Sequence, residues 1–361
     1  MAADISSLPK KRVYVVIVNW NGWRDTIECL ESVFRSDYPD FRVIVCDNGS
    51  TDGSFDQIKA WAKGLLSPDS NRDTKLARLS TPTIPKPVEF VEYTKAEADS
   101  DGMLLADPPL VLISNCENLG FAGGNNVAMR YALARGDFAH IWLLNNDTVI
   151  EPEALTGLVH RMKARPDAGM CGSAIFYYDD PEKVQALGGG WHCKWIGLPW
   201  HFGRFNGRYE SDNAERAERW MNYVEGASLL VSRDFLHDIG LMCEDYFLFF
   251  EETDWSIRAK GKYTLAYAPK SVVYHKVGVS IGTSSNPGRK SITCDYFSIR
   301  NRLFFTRKFY PYALPAIYAV LCGTIFIRIV LGQWDRVAMI LRIFVDYNKC
   351  QASKLSTLSC D

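Results

Sequence analysis

Asp147 ends the stretch His140-Ile141-Trp142-Leu143-Leu144-Asn145-Asn146-Asp147-Thr148, and a carboxylate in that setting suits a cation. The apolar run before it reads as a buried strand. Glu151-Pro152-Glu153 then opens a helix, with proline at a first-turn position where its missing N–H costs nothing. Asp147 thus sits where a central strand of an α/β sheet ends, beside the crevice in which such sheets bind ligands. A lone carboxylate there either holds a divalent cation that bridges to phosphate oxygens or caps a helix and fixes a loop. Asp47 ends a second strand, Phe41 to Cys46. Two acidic residues at neighbouring strand ends suit a nucleotide, one accepting hydrogen bonds from base or ribose, the other holding a cation on the diphosphate.

A second acidic group is Glu251-Glu252-Thr253-Asp254. Helical spacing pairs Asp254 with Arg258. Glu251 and Glu252 precede the first turn, where mutual repulsion raises a carboxyl enough for base work, or where the helix dipole simply favours acids. His275 follows an apolar strand; with Asp147 it completes a site for Mn²⁺ or a similar ion, or it is structural. The loops around Asn19 and from Asn118 to Asn126 offer backbone N–H groups and amides, and Gly123 and Gly124 permit close backbone approach.

The elements that carry these residues alternate. Val13 to Val18 is a buried strand, followed by the loop Asn19-Trp20-Asn21-Gly22 and a helix with Asp25 and Glu28 as a capping box. Phe41 to Cys46 follows, then a helix capped by Ser54 and Gln57. This β-α-β-α order with short links predicts a parallel, doubly wound sheet with helices on both faces. Residues 63–109 read as a peripheral, partly mobile insertion with one strand at Val88 to Tyr93. Leu110 to Ile113, Ser228 to Ser232, Tyr263 to Ala268 and Val272 to His275 are further strands. From Tyr296 the chain turns helical, and Arg300, Arg302, Arg307 and Lys308 interleave with Phe297, Leu303, Phe304, Phe305 and Phe309. The preferred reading is a basic, aromatic helix on an anionic membrane face; packing on the core and a bilayer span through the uncharged stretch Phe309 to Ile327 compete with it. The organisation expected is one domain over 11–295 and a helical C-terminal extension over 296–361.

The totals bound the class. With 361 residues the chain buries a large core, and a net charge of −1 gives no bulk basicity for nucleic acid. Ten cysteines without a C-x-x-C pair argue against a zinc ribbon and a disulfide framework and fit a reducing compartment. Met1 to Pro9 has no apolar signal region, so no secretion is expected and the protein is placed in the cytoplasm, peripheral at the inner face of the cell membrane.

Together the motifs resemble family 2 glycosyltransferases, inverting enzymes with the GT-A fold, in their rhamnosyltransferase-like branch. The resemblance runs from about Val13 to Arg302, in the family's order: Val15-Val16-Ile17-Val18-Asn19-Trp20-Asn21, Val45-Cys46-Asp47-Asn48-Gly49-Ser50-Thr51-Asp52-Gly53-Ser54, Asn118-Leu119-Gly120-Phe121-Ala122-Gly123-Gly124-Asn125, Leu143-Leu144-Asn145-Asn146-Asp147, Phe249-Phe250-Glu251-Glu252-Thr253-Asp254-Trp255 with Arg258, then His275. It implies donor contacts from Val18, Asn19, Asn21, Asp47, Asn48, Asn118, Gly123, Asn125, Asn145 and Asn146. It implies a divalent cation, Mg²⁺ or Mn²⁺, on Asp147 and His275, and a base at Glu252 within the candidate set Glu251, Glu252 and Asp254. Trp191, Trp195, Glu225, Gly226 and Trp255 are expected on the acceptor side. The partners implied are a nucleotide-diphosphate sugar, with deoxythymidine-diphosphate-rhamnose favoured and uridine-diphosphate sugars open, a glycan or lipid-linked acceptor, and a membrane surface. Two positions depart from the family: the D-x-D motif reads Asn145-Asn146-Asp147, and the base position holds Glu where Asp is frequent. A nucleotidyltransferase and a non-catalytic sugar-nucleotide-binding protein are the alternatives.

Overall fold

A computed structural model of the chain describes residues 11–67, 75–100, 107–204, 207, 213–277 and 291–357. They divide into two compact units. The first holds the described residues up to Trp191, then Trp200–Phe247 and those from Glu251 to 277; the second holds His192–Pro199, Leu248–Phe250 and those from 291 onward. Three loop residues just before Glu251 and eight after Trp191 thus group with the C-terminal helices.

The first unit is built on strands β1 (Val13–Asn19), β2 (Phe41–Asn48), β3 (Phe90–Thr94), β4 (Leu110–Asn115), β5 (His140–Asn145), β6 (Thr148–Ile150), β7 (Ala168–Tyr177), β8 (Val184–Leu187), β9 (Gly189–Cys193), β10 (Leu198–His201), β11 (Tyr223–Val224), β12 (Ser228–Ser232) and β13 (Thr264–His275). Its helices are α1 (Trp23–Val33), α2 (Ser54–Ala62), α3 (Lys95–Ala98), α4 (Gly120–Arg135), α5 (Ala154–Ala164), α6 (Ala214–Trp220), α7 (Arg233–Ile239) and α8 (Glu251–Arg258). The sheet order is β10-β9-β8-β7-β12-β5-β1-β2-β4-β3. It is parallel from β5 through β1, β2 and β4 to β3, and β12 reverses the direction between β5 and β7.

The period of two along β1 explains the layers. Val13, Val15 and Ile17 pack in one apolar cluster with Ile27 and Leu30 of α1, Trp61 of α2 and Leu155 of α5. Tyr14 and Val16 pack in a second, with Val127, Met129 and Tyr131 of α4. Helices therefore cover both faces of a buried parallel sheet. The register sets Asn19 beside Asp47 and Val18 beside Asn145, so the polar ends of three strands share one rim.

Local expectations are corrected in three places. Asp25 and Glu28 form no capping box: the N-cap of α1 is Gly22 without a side-chain bond, and both acids turn to Lys276 instead. Ser54 does not cap α2 either; its N–H and hydroxyl both donate to Asp52. The two late strands are one, β13, with an irregularity between Ala268 and Val272. Of the insertion, residues 68–74 and 101–106 lie outside the described residues. The rest adds β3 to the sheet edge and is tied to α1 through buried Glu31, which accepts from Trp61 Nε1 (2.8 Å) and Ile84 N (2.8 Å) and pairs with Lys86 (3.3 Å).

The second unit contains α9 (Ile292–Phe309), α10 (Leu314–Val330) and α11 (Trp334–Thr357), packed through Ile299, Leu303, Ile317, Leu321, Ile340 and Ile343. Of the four cations on helix α9, Arg302 turns inward, Arg300 and Arg307 are half-buried and Lys308 stays exposed. Arg302, Leu303 and Phe305 are buried, and buried Asp295 near its start pairs with Arg328 and Arg336. The apolar surface lies on α10 instead. Pro311–Val330 has a mean hydropathy of 2.0 with 17% of its window buried, and among the described residues it is the helix long and apolar enough to cross a membrane.

Candidate active site

The rim at the ends of β1 and β2 is a preorganised acceptor. Asn19 Nδ2 donates to Asp47 Oδ1 (2.6 Å), Ser50 Oγ donates to the same oxygen (2.6 Å) and Ser50 N to Oδ2 (3.0 Å). Asn21, in the left-handed region at φ 50°, donates its N–H to Ser50 Oγ and accepts from Thr51 N (2.8 Å). Asn48 is buried, donating to Gly120 O and accepting from Asn115 Nδ2, each at 2.9 Å. A Cβ at Gly124 would come within 2.8 Å of Val18 Cγ1 and 2.9 Å of the Asn48 amide, so this glycine lets α4 close on the strand ends. Gly123 faces Leu119 and Glu244 instead. Asn118 caps the entry to α4 by accepting from Gly120 N (2.9 Å), and Asn125 donates to Phe121 O (2.9 Å). The amide of Asn48 thus ties β2 to the start of α4 and to β4, that of Asn118 fixes the turn into α4, and that of Asn125 bonds back within α4.

Asp147 lies between β5 and β6 and meets His275, the last residue of β13: Oδ1 stands 3.1 Å from Nε2. Gln185 Oε1 is 3.0 Å from His275 Nδ1 and aims the ring. Burial pushes Asp147 up, but the charge and hydrogen bond of His275, with Lys276, bring it below the ordinary carboxylate value. Burial pulls His275 down, and Asp147, with Glu225 behind it, raises it overall. Asn146 Nδ2 donates to Thr26 Oγ1 (3.1 Å).

Helix α8 separates the three acids of its first turn. Asp254 is wholly buried, accepting from Tyr246 OH (2.9 Å) and Arg258 Nε (2.7 Å), while Arg258 also donates to Ile239 O and Leu241 O. These bonds tie Asp254 to Arg258, the partner its spacing suggests. Glu252 faces the turn of Gly226, where an added Cβ would stand 3.8 Å from its Cδ and 3.6 Å from Phe121. Burial, then the charges of Glu251 and Glu225, drive the Glu252 carboxyl well above the ordinary value. Glu225 is paired with His201 at 2.9 Å. Burial raises Glu225, and His201 with His275 returns it below the usual value.

On the acceptor side, Trp191 is half exposed. Trp195 belongs to the second unit, where its ring meets Tyr312 edge-on. Trp255 is corrected: it is fully buried, donates Nε1 to Gly240 O (2.8 Å) and packs edge-on against Phe235, so it offers nothing to an acceptor.

The sequence model described as glycosyl transferase family 2 matches residues 14–79 and 91–224. The chain belongs to this family. The transferase is 25% identical over 232 residues to the N-acetylglucosaminyl-diphospho-decaprenol L-rhamnosyltransferase of Mycobacterium tuberculosis, spanning 60% of this chain and 75% of that protein, and it is rhamnosyltransferase-like. Its fold is GT-A. The mannosyltransferase PcManGT from Pyrobaculum calidifontis, solved in complex with GDP-Man and Mn²⁺, superposes with a TM-score of 0.52 at 15% identity, covering 94% of this chain and 87% of that one. GalNAc-T7, solved with UDP, GalNAc and Mn²⁺, gives 0.51 at 14% identity, covering 81% of this chain and 51% of that one. The chain is thus a glycosyltransferase by family and fold.

Sequence reasoning passed over Thr26, Gln185, His201 and Lys276. Only Lys276, next to His275, carried a local signal. Replacing Asp254 with Ala removes the carboxylate that Tyr246 OH and Arg258 Nε share and strands Arg258 among backbone carbonyls. We expect a loss of about 3–5 kcal/mol in urea unfolding, the usual cost of removing one partner of a buried pair. Unchanged stability with lost turnover would make Asp254 catalytic after all.

Proposed function

We propose that this transferase moves rhamnose from a nucleotide-diphosphate donor to a hydroxyl of a lipid-linked glycan, with inversion at the anomeric carbon. The observation that carries the reading is Glu252: a half-buried carboxylate with raised basicity, set at a helix start beside the Gly226 turn. In that role Glu252 takes the proton of the acceptor hydroxyl as the oxygen attacks the face opposite the leaving diphosphate. Asp47, fixed by three donors, keeps lone pairs for the nucleoside. The rhamnosyltransferase relative, whose name carries a diphospho-decaprenol acceptor, supports the sugar and the lipid-linked partner.

A divalent cation fits Asp147 and His275. Two ligands at right angles on an ion with bonds of about 2.1 Å stand about 3 Å apart, and Oδ1 and Nε2 are separated by 3.1 Å. Among the described residues no group of three or more His, Cys, Asp or Glu side chains gathers, so Asp147 and His275 would be the residues that hold the ion. A cation held by Asp147 and His275 would supply positive charge toward the donor diphosphate.

Glu252→Gln keeps size and hydrogen bonding but accepts no proton. Turnover is expected to fall by about 10² to 10⁴ with donor affinity held. A base works only when deprotonated, so the rate should climb as pH rises through the elevated Glu252 value. Glu225→Gln removes one repelling charge and should move that limb to lower pH. Full activity of Glu252→Gln sinks the mechanism.

Asp147→Ala should abolish Mn²⁺-dependent nucleotide binding in calorimetry, because His275 alone holds the ion poorly. Wild-type activity that survives exhaustive chelation would show that the reaction needs no cation.

The outward side of α10 supports a site at the inner face of the cell membrane, with Phe326, Ile327, Val330 and Leu331 exposed. The full chain is expected to sediment with anionic vesicles and to leave them in high salt, since the attraction of surface cations is screened. Retention through both salt and alkali would identify α10 as a span, and indifference to vesicles would remove the membrane from the picture.

A further inference from the structure

Arg302 of α9 is a cation without a counter-charge. It is only 7% exposed, and its Nε is buried with no hydrogen bond. Among the described residues no carboxylate pairs with it, and burial alone pulls its value down to about 10. One helical turn on, Thr306 is wholly buried and its hydroxyl also has no partner. Nearby His192 is held neutral, down to about 4, by burial and then by the charge of Arg302. The stem of Arg302 is closed over by the turn Cys193 to Gly197, whose last residue sits at φ 63°. A Cβ there would stand 2.5 Å from Arg302 Cγ. That turn also carries Lys194, whose Nζ reaches Tyr312 OH (3.2 Å), and half-exposed Trp195.

A desolvated guanidinium left unpaired is among the costliest groups a fold can keep, and it is tolerated where an anion completes it. Its planar fork matches two oxygens of a phosphate, and an adjacent hydroxyl suits a third. The same unit exposes the apolar side of α10, so the anion best matched is one attached to a lipid.

We propose that Arg302 and Thr306 bind the phosphate or diphosphate ester of the lipid-linked acceptor, with Lys194, Trp195 and Tyr312 at the rim. This rests on the lipid-linked reading above and assigns that acceptor's anionic group to the second unit.

The test is titration of the full chain with farnesyl diphosphate in nonionic detergent. Arg302→Met should weaken binding roughly ten- to a hundredfold, the worth of charged hydrogen bonds. Its melting temperature should hold or rise, because an uncompensated buried cation is gone. Arg302→Lys should recover part of the affinity as a point charge without the fork, and binding of deoxythymidine-diphosphate-rhamnose should be unchanged in both. Unaltered farnesyl diphosphate affinity in Arg302→Met overturns the proposal. Should that variant fail to fold, Thr306→Val carries the test, with a severalfold loss expected and no loss overturning it. Inorganic pyrophosphate bound as tightly as farnesyl diphosphate would make this a free-phosphate site. Arg302-dependent sedimentation with phosphatidylglycerol vesicles would make it a bulk headgroup site. Either outcome overturns the acceptor assignment. Transfer to the phosphate-free acceptor octyl N-acetylglucosaminide should proceed equally in wild type and Arg302→Met. If wild type transfers rhamnose to no acceptor while farnesyl diphosphate binding still depends on Arg302, the proposed donor and acceptor reading fails and the anion site stands.

Discussion

The hydroxyl of Thr26 is the joint on which the rim of the sheet turns. It accepts from Asn146 Nδ2 at 3.1 Å and donates to Asn19 Oδ1 at 2.8 Å, and Asn19 Nδ2 donates in turn to Asp47 at 2.6 Å. The direction of this chain is forced. Asp47 as a carboxylate only accepts, so Asn19 must present its NH₂ to it and its carbonyl oxygen to Thr26. Thr26 has one proton, and once that goes to Asn19 the hydroxyl is left to accept from Asn146. One line of hydrogen bonds thus runs from the loop that carries Asp147 to the carboxylate at the end of β2. Its members are buried, where an unmade bond costs more than a made one returns. The strand ends cannot shift independently, and loops of irregular backbone acquire a fixed geometry.

A second tie secures the far side. Lys276 Nζ lies 2.6 Å from both Asp25 and Glu28, and Tyr178 OH donates to Glu28 at 2.7 Å. Two carboxylates and one ammonium inside a protein are a doubtful source of stability, since desolvation offsets most of the attraction. What the cluster supplies is position. Lys276 N donates to Asp147 O (3.0 Å), continuing the pairing of β13 with β6 past His275. The end of β13 is thereby stapled to the first two turns of α1, the same turns that present Thr26. With Gln185 on its other nitrogen, His275 has little freedom except to face Asp147.

These two ties also mark what could be read from the sequence and what could not. The strands β1, β2 and β5 were legible because unbroken apolar runs ending in polar loops have one reading in an α/β chain, and Asp47 and Asp147 followed from them. The pairing of Asp254 with Arg258 was legible because helical spacing is local. The destinations of Asp25 and Glu28 were not: two acids three residues apart at a helix start look alike whether they face backbone N–H groups or a lysine some 250 positions away. Trp255 looked like an acceptor platform because an aromatic beside an acidic motif has no local sign of burial; only the packing of Phe235 and the carbonyl of Gly240 withdraw it. Arg302 looked like one of several surface cations, since a run of alternating arginine and phenylalanine does not say which arginine turns inward.

The amide at Asn145 is consistent with the same electrostatics. Its backbone is as constrained as any D-x-D strand end requires, with N donating to Ala227 O (3.0 Å) and O accepting from Thr148 Oγ1 (2.7 Å). Only the charge is missing. The region is already acidic: Glu225 is felt by both His275 and Glu252, so a single carboxylate couples the histidine facing Asp147 to the acidic start of α8. Another negative group at position 145 would add to the charge at a strand end that already holds Asp147. Keeping the amide adds no charge to a region where Glu251 and Glu225 already raise Glu252, and leaves Asp147 as the carboxylate that faces His275.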